Sequence, residues 1–221
     1  MRIVFLKGKS LFFLILFLTV AFGFSAKNYF ELEHLSYSSS QNLSRWLVAK
    51  PNLSQLHSGD LIFRHGRGII SNVLMTFGQR EKKYSHAGIV SVENGNVFVY
   101  HAIGGEENIS NKLRKDPLAD FCDPADAHAF GVYRTGLDDL QINSVIALAS
   151  TYYKNGLQFD TKFDLSTDDK MYCTEFVYKI FKQALGNENY ISLSTINGKQ
   201  YIACDDLYCN AHCREIYHYQ Y

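Results

Sequence analysis

The segment Tyr84-Ser85-His86-Ala87-Gly88-Ile89-Val90-Ser91-Val92 is followed by Glu93-Asn94-Gly95-Asn96 and then by Val97-Phe98-Val99-Tyr100-His101-Ala102. An Asn-Gly pair accommodates positive φ at both central turn positions, so it closes a tight hairpin between two apolar strands. Antiparallel pairing of those strands predicts that His86 and His101 lie close in space. Leu61-Ile62-Phe63, after the turn residues Gly59-Asp60, reads as a short buried strand, and Ala129 to Arg134 as another. Helical spacing of apolar residues predicts three helices. The first is Arg67 to Phe77, with Ile69, Ile70, Val73, Leu74 and Phe77; the second is Leu140 to Lys154, with Ile142, Val145, Ile146 and Ala149 inward. The third is Met171 to Leu185, with Phe176, Val177, Ile180, Phe181 and Ala184, stopped by Gly186. A short helix at Ser44 to Val48 precedes Pro51, and Phe159 to Asp169 reads as an acidic, solvated loop. The order is that of an α+β fold with an antiparallel sheet packed with helices.

With 221 residues, 47% apolar and 14% aromatic, the chain is long and apolar enough for a substantial core. Its 22 basic residues balance 22 acidic ones, so no charge excess calls for nucleic acid or an anionic membrane surface. Arg2, Lys7 and Lys9 precede an apolar run, Leu11 to Phe24. That run is shorter than the roughly 20 residues a membrane-spanning helix needs, and it suits the core of a secretory signal. The reading is a signal peptide over 1–25, a lead-in over 26–55, a main domain over 56–190 and a Cys-rich extension over 191–221. The mature chain is then expected to be exported, periplasmic or secreted, with no stable membrane insertion after cleavage.

Export changes how Cys122, Cys173, Cys204, Cys209 and Cys213 read. An oxidising compartment favours disulfides, so two bridges are expected among Cys122, Cys204, Cys209 and Cys213, their pairing open, with Cys173 free. Cys204-x4-Cys209-x2-His212-Cys213 is loosely zinc-like, but the disulfide reading takes precedence and no metal or cofactor is expected. Cys173 follows a polar loop at a helix start, where the field of the free amides favours a thiolate and predicts a lowered thiol pKa. A nucleophilic cysteine also needs a base within reach.

Phe159-Asp160-x-x-Phe163-Asp164-Leu165 followed by Tyr172-Cys173-Thr174-Glu175-Phe176-Val177-Tyr178 resembles the nucleophile motif of the YiiX/YebB-like group, within the NlpC-type superfamily of papain-like cysteine peptidases and amidases. Ser58-Gly59-Asp60-Leu61-Ile62-Phe63-Arg64 resembles the group's opening strand, and Tyr84-Ser85-His86-Ala87-Gly88-Ile89-Val90 its histidine strand. The three blocks stand in the order of the permuted members, histidine before cysteine. The resemblance implies a circularly permuted papain-like (NlpC-type) fold and a thiol hydrolase acting on an amide bond of a small peptide or acyl-amide. Cell-wall peptide is the default substrate and acyl transfer a variant chemistry. Cys173 would be the nucleophile and His86 the general base, with His101 orienting the imidazole unless Glu106 or Glu107 takes that place. The backbone N–H of Cys173, together with Tyr172 and Tyr84, would serve the oxyanion or the substrate. Phe159 stands where the superfamily commonly has a tyrosine, and it offers no donor. The competing reading is therefore a binding module of the same fold that has lost catalysis.

Overall fold

The structure is a computed structural model that describes residues 39–104 and 110–221. The expected signal peptide and the pair Glu106–Glu107 lie outside the described residues. The chain divides into two units, Met1–Ser44 and Arg45–Tyr221. Within the first, residues 39–44 begin helix α1 (39–49), and the Ser44 hydroxyl donates to the Gln41 carbonyl.

In the second unit, a 3-10 turn (Leu53–Gln55) leads into β1 (Leu61–Gly66), α2 (Ile69–Met75), β2 (His86–Glu93) and β3 (Asn96–His101). Then come β4 (Arg114–Pro117), α3 (Leu118–Phe121), β5 (Ala127–Thr135), α4 (Asp139–Lys154), β6 (Gln158–Phe159), β7 (Lys170–Met171) and α5 (Cys173–Leu185). The chain ends with β8 (Ser194–Ile196), β9 (Lys199–Tyr201), α6 (Cys204–Tyr208) and β10 (Cys213–Gln220). Six strands form one antiparallel sheet in the order β10-β5-β1-β2-β3-β4. This is the α+β architecture expected. The hairpin forms as its Asn-Gly turn requires, with φ of 49° at Asn94 and 79° at Gly95.

Alternation along the strands gives the sheet two apolar faces. Leu61, Phe63, Ala87, Ile89 and Tyr100 belong to a core shared with α4, α5 and α6. Ile62, Val90, Val99, Phe130 and Val132 face the other way and pack with Ala49, Phe121 and Cys122. Helix α5 buries its apolar stripe: Phe176, Val177, Ile180 and Phe181 are all fully buried. Burial at about 1.5–3 kcal/mol per large apolar side chain anchors its whole length. Its first turn is closed by a capping box in which the Tyr172 N–H donates to the Glu175 carboxylate at 3.1 Å, and Gly186 ends it in the left-handed region.

Five features depart from the sequence reading. Disulfides are absent among the described residues: all five cysteines carry free thiols. Cys122 packs on one face of the sheet and Cys204 on the other, so a bridge between them would have to cross it. Segment 191–221 is no appendage, because α6 is buried in the main core and β10 pairs with β5 from Cys213 to Gln220. The polar stretch before Phe121 contains β4, a short charged edge strand whose Arg-Lys-Asp-Pro sequence has no apolar alternation to reveal it. Helix α2 is real, yet Ile69 and Ile70 are 83% and 76% exposed and do not enter either core. In the supposedly solvated acidic loop Asp160 is buried, and its carboxylate accepts the N–H groups of Lys162 and Asp164.

The tail is held by hydrogen bonds where bridges were expected. One oxygen of the fully buried Asp205 accepts the backbone N–H groups of Gln79 (2.8 Å), Arg80 (2.6 Å) and Glu81 (3.3 Å), and Asp206 pairs with Arg80 at 2.8 Å. Together they tether the loop that leads into β2. Asp205→Ala strands those amides and is expected to lower stability by about 3 kcal/mol, read as a fall in the urea midpoint at unchanged slope.

Candidate active site

His86 opens β2, and its register partner on β1 is Arg64. Ser85 braces this end of the sheet by accepting the Gly66 N–H at 2.9 Å. His101 closes β3 directly across from Arg114 of β4, with Asp116 opposite Val99 two residues along. Residues two apart on a strand share a face, so Asp116 reaches His101 on the diagonal. The outcome is a line of short hydrogen bonds: His86 Nε2 to His101 Nδ1 at 2.8 Å, and His101 Nε2 to Asp116 Oδ2 at 2.9 Å. Phe121 of α3 stacks on the His86 ring at 5.5 Å and meets the His101 ring edge-on at 5.1 Å. Arg114 donates to Asp116 through both Nε and a terminal nitrogen.

Cys173 is the first residue of α5, and it lines the same cleft as His86. Its sulfur lies by the backbone N–H of Ala87, the residue after His86, and by the amides of Cys173 and Thr174 at the helix start. Thiol and imidazole share no direct hydrogen bond in this resting arrangement, as is common before substrate tightens such a contact. Since His86 Nε2 is taken by His101, Nδ1 is the ring nitrogen outside that hydrogen bond.

Electrostatics here are set by burial. Desolvation pushes the Cys173 thiol up to about 11, against the opposing pull of the three amides and Arg64. The expected thiolate-favouring shift is thereby overturned: the amides are present, but the low-dielectric surroundings outweigh them. Burial likewise holds His86 well below its ordinary value, helped by Arg64, and lowers His101 despite the neighbouring Asp116. Burial alone would raise Asp116, but the His101 hydrogen bond and Arg114 hold it below the usual carboxylate range. Glu175 is pushed up to about 7 by burial, with Lys179 at 2.8 Å resisting.

Of the other residues predicted for the site, Tyr172 lines the cleft, and its hydroxyl accepts the Ile202 N–H at 3.1 Å. Tyr84 is elsewhere. It sits in an aromatic cluster with Phe63, Tyr133 and Tyr208, bonded to His218 Nδ1 at 2.9 Å. It lies so close over Gly131 that a Cβ there would fall 2.1 Å from its hydroxyl. Phe159 does line the cleft, against Phe163. Asp116 escaped the sequence reading because the strand that carries it was not recognised. The signal available was a lone acid among basic residues shortly after His101.

The cleft has a volume of about 2380 Å³ and runs between α2, the 159–168 loop, the start of α5 and the 193–204 segment. Ile69, Ile70, Val73, Phe77, Phe163 and Ile196, all exposed, line it. Arg67, Lys162, Lys182 and Lys199 stand among them.

Residues 55–217 match the family described as permuted papain-like amidase enzymes, YaeF/YiiX, C92. The chain belongs to that family. A relative is the uncharacterized protein YiiX of Escherichia coli strain K12, 29% identical over 143 residues, which are 63% of this chain and 65% of the relative. The match thus spans just under two thirds of that relative's length. A solved structure of yiiX from Escherichia coli O157:H7, described as a metalloprotein, shares the fold with a TM-score of 0.62 at 20% identity, over 76% of this chain and 99% of that one.

If His86 draws the proton from a thiol that otherwise ionises near 11, the two groups can be separated by pH. His86→Ala is expected to slow iodoacetamide alkylation of Cys173 by roughly 100-fold at pH 7. Near pH 11 the thiol ionises unaided, and the two proteins should converge.

Proposed function

We propose that this family member is an exported thiol amidase that hydrolyses an acyl-amide bond with Cys173 as nucleophile and His86 as general base. The observation that carries the reading is the unbridged Cys173 sulfur at the start of a buried helix, in one cleft with an imidazole whose far nitrogen is already held by His101. The thiol proton passes to His86 Nδ1 as the sulfur–carbon bond forms on the substrate carbonyl. The resulting oxyanion is met by the free amides of Cys173 and Thr174. The His86 imidazolium then gives its proton to the leaving nitrogen as the carbon–nitrogen bond breaks. Water, deprotonated by the same imidazole, attacks the thioester and restores the thiol.

Phe159 supplies no donor, but the backbone amides of Cys173 and Thr174 do, so this reading is preferred to that of an inactive module. The solved relative is described as a metalloprotein. Here His86 Nε2, both ring nitrogens of His101 and the Asp116 carboxylate are engaged in hydrogen bonds with one another and with Arg114, and among the described residues no three His, Cys, Asp or Glu side chains are grouped to hold a metal ion. The donor set does not fit a resident metal, and the chemistry is written through the side chains alone.

For the substrate, the apolar lip formed by Ile69, Ile70, Val73 and Phe163 favours an acyl-amide with a sizeable apolar body over the cell-wall peptide taken as default. The nearby lysines suit an anionic group on the same molecule. Export rests on the Arg2, Lys7 and Lys9 start and the Leu11 to Phe24 run. Among the described residues, no helix is long and apolar enough to cross a membrane.

A panel of N-acyl amino acids of increasing chain length, beside muropeptides, tests both parts. Release of free amine is expected with the long-chain amides and should vanish in Cys173→Ala. Turnover that survives that substitution would end the thiol mechanism, and turnover confined to muropeptides would end the apolar-substrate reading.

A further inference from the structure

We propose that Asp116 is a positioning residue that fixes the tautomers of both His101 and His86, turning the lone pair of His86 Nδ1 toward the Cys173 sulfur. The assignment rests on the thiol reading above and follows from counting donors along the line. Arg114 gives Asp116 hydrogen bonds to both carboxylate oxygens, through Nε to Oδ1 at 3.0 Å and through a terminal nitrogen to Oδ2 at 2.8 Å. A carboxylate so held is ionised and can only accept. His101 Nε2, 2.9 Å from Oδ2, must therefore carry a hydrogen. A neutral imidazole has one N–H, so His101 Nδ1 carries none and accepts. His86 Nε2, 2.8 Å from that nitrogen, must then be the donor. The proton of a neutral His86 is thereby used up, and Nδ1 is left bare. A negative charge at one end of the line thus prepares a base at the other, two hydrogen bonds away.

The reversed chain fails at its first link: with a proton on His101 Nδ1, bare Nε2 would face a carboxylate that has none to give. Rotation of either ring is opposed by Phe121, which packs on both. The same line stabilises the imidazolium formed when the thiol is deprotonated, since His86 gains positive charge toward an ionised acid. Other charged or titratable groups facing the line are Arg64 from β1, Arg114 from β4, Asp120 from α3 and Cys173 from α5. Neither Asp120 nor Cys173 accepts a hydrogen bond from either ring in the described structure; the rings bond to each other and to Asp116.

The test uses the full chain with 15N-labelled histidine. Ring-nitrogen NMR at pH 7.5 in the Cys173→Ala background should show Nε2–H for both His101 and His86, with bare Nδ1 in each. A proton on His101 Nδ1 overturns the proposal, whatever the enzyme's activity. In Asp116→Asn, the amide can present N–H to His101 and invert the chain, so a His86 Nδ1–H population is expected. In the Cys173-containing protein, alkylation by iodoacetamide at pH 7 should then fall roughly 10–100-fold. The gap should close toward pH 11, where the thiol ionises without help, and Asp116→Glu should recover part of the neutral-pH rate. A merely structural role predicts a loss that is the same at every pH and no change of tautomer, and either result overturns the proposal. Should Asp116→Asn not fold, the NMR assignment of the protein with Asp116 intact decides alone. Absent amide turnover alongside the expected tautomers would refute the proposed reaction and leave the role of Asp116 standing.

Discussion

The seating of α5 on β2 is the contact from which the site follows. Helix and strand are far apart in sequence, and only burial of Phe176, Val177, Ile180 and Phe181 holds them together. Because that stripe fixes the helix along its axis, the first residue is delivered to one place, with the Cys173 sulfur by the Ala87 amide. The small residues after His86 serve this packing. A Cβ on Gly88 would stand 2.4 Å from Val99 and 3.1 Å from the Tyr100 carbonyl, so glycine is what lets β3 come close enough to bring His101 to His86. The space left by the missing Gly88 side chain is filled by the neighbouring strand.

Strand register does the remaining placement. The antiparallel ladder sets His101 across from Arg114, and the two-residue period puts Asp116 on the histidine face. Slipping β4 by one residue would turn Asp116 and Arg114 away and offer Lys115 to the imidazole in their place. Edge strands slip readily when nothing pins them. Here the Lys115–Glu93 pair at 2.6 Å and the packing of Leu118 and Phe121 behind the sheet oppose it. Catalytic geometry and edge-strand pairing are in this sense one problem with one solution.

What was legible in the sequence was whatever had local period or local chemistry. The hairpin was readable from Asn94-Gly95, α5 from its stripe and Gly186, and the histidine pair from strand direction alone. What was not legible depended on distant partners. Strand β4 is Arg-Lys-Asp-Pro and has no apolar face, because its side chains answer charges on β3 and β2 and no core. Helix α2 has an apolar stripe that matches a core helix, but the stripe borders the cleft, a distinction that helical period cannot express. The cysteines at 204, 209 and 213 were read through the expected compartment. In the structure, the tail they sit on is held by Asp205, Asp206 and the pairing of the eight-residue strand β10 with β5, and the cysteines carry free thiols.

A helix start and a buried pocket make opposite demands on a thiol, and the outcome here sets the resting state. Amide dipoles favour the thiolate, while removal from water penalises it; lifting the thiol from 9 to about 11 corresponds to about 3 kcal/mol against ionisation. The same burial keeps both imidazoles neutral, so the resting pair is thiol and imidazole, with no stored charge separation. Such a site has little nucleophile standing ready. It does have a base whose conjugate acid is supported through His101 by an ionised aspartate, and amides aimed at the atom where charge will appear. In the proposed reaction, charge is created only as the sulfur attacks, when the donors and the acid at the far end of the line are both in place to receive it. In that proposed reaction, an apolar substrate body that displaced water from the cleft would strengthen each of these interactions, so that the exposed isoleucines of α2 and the buried histidine line would act on the same step from opposite sides.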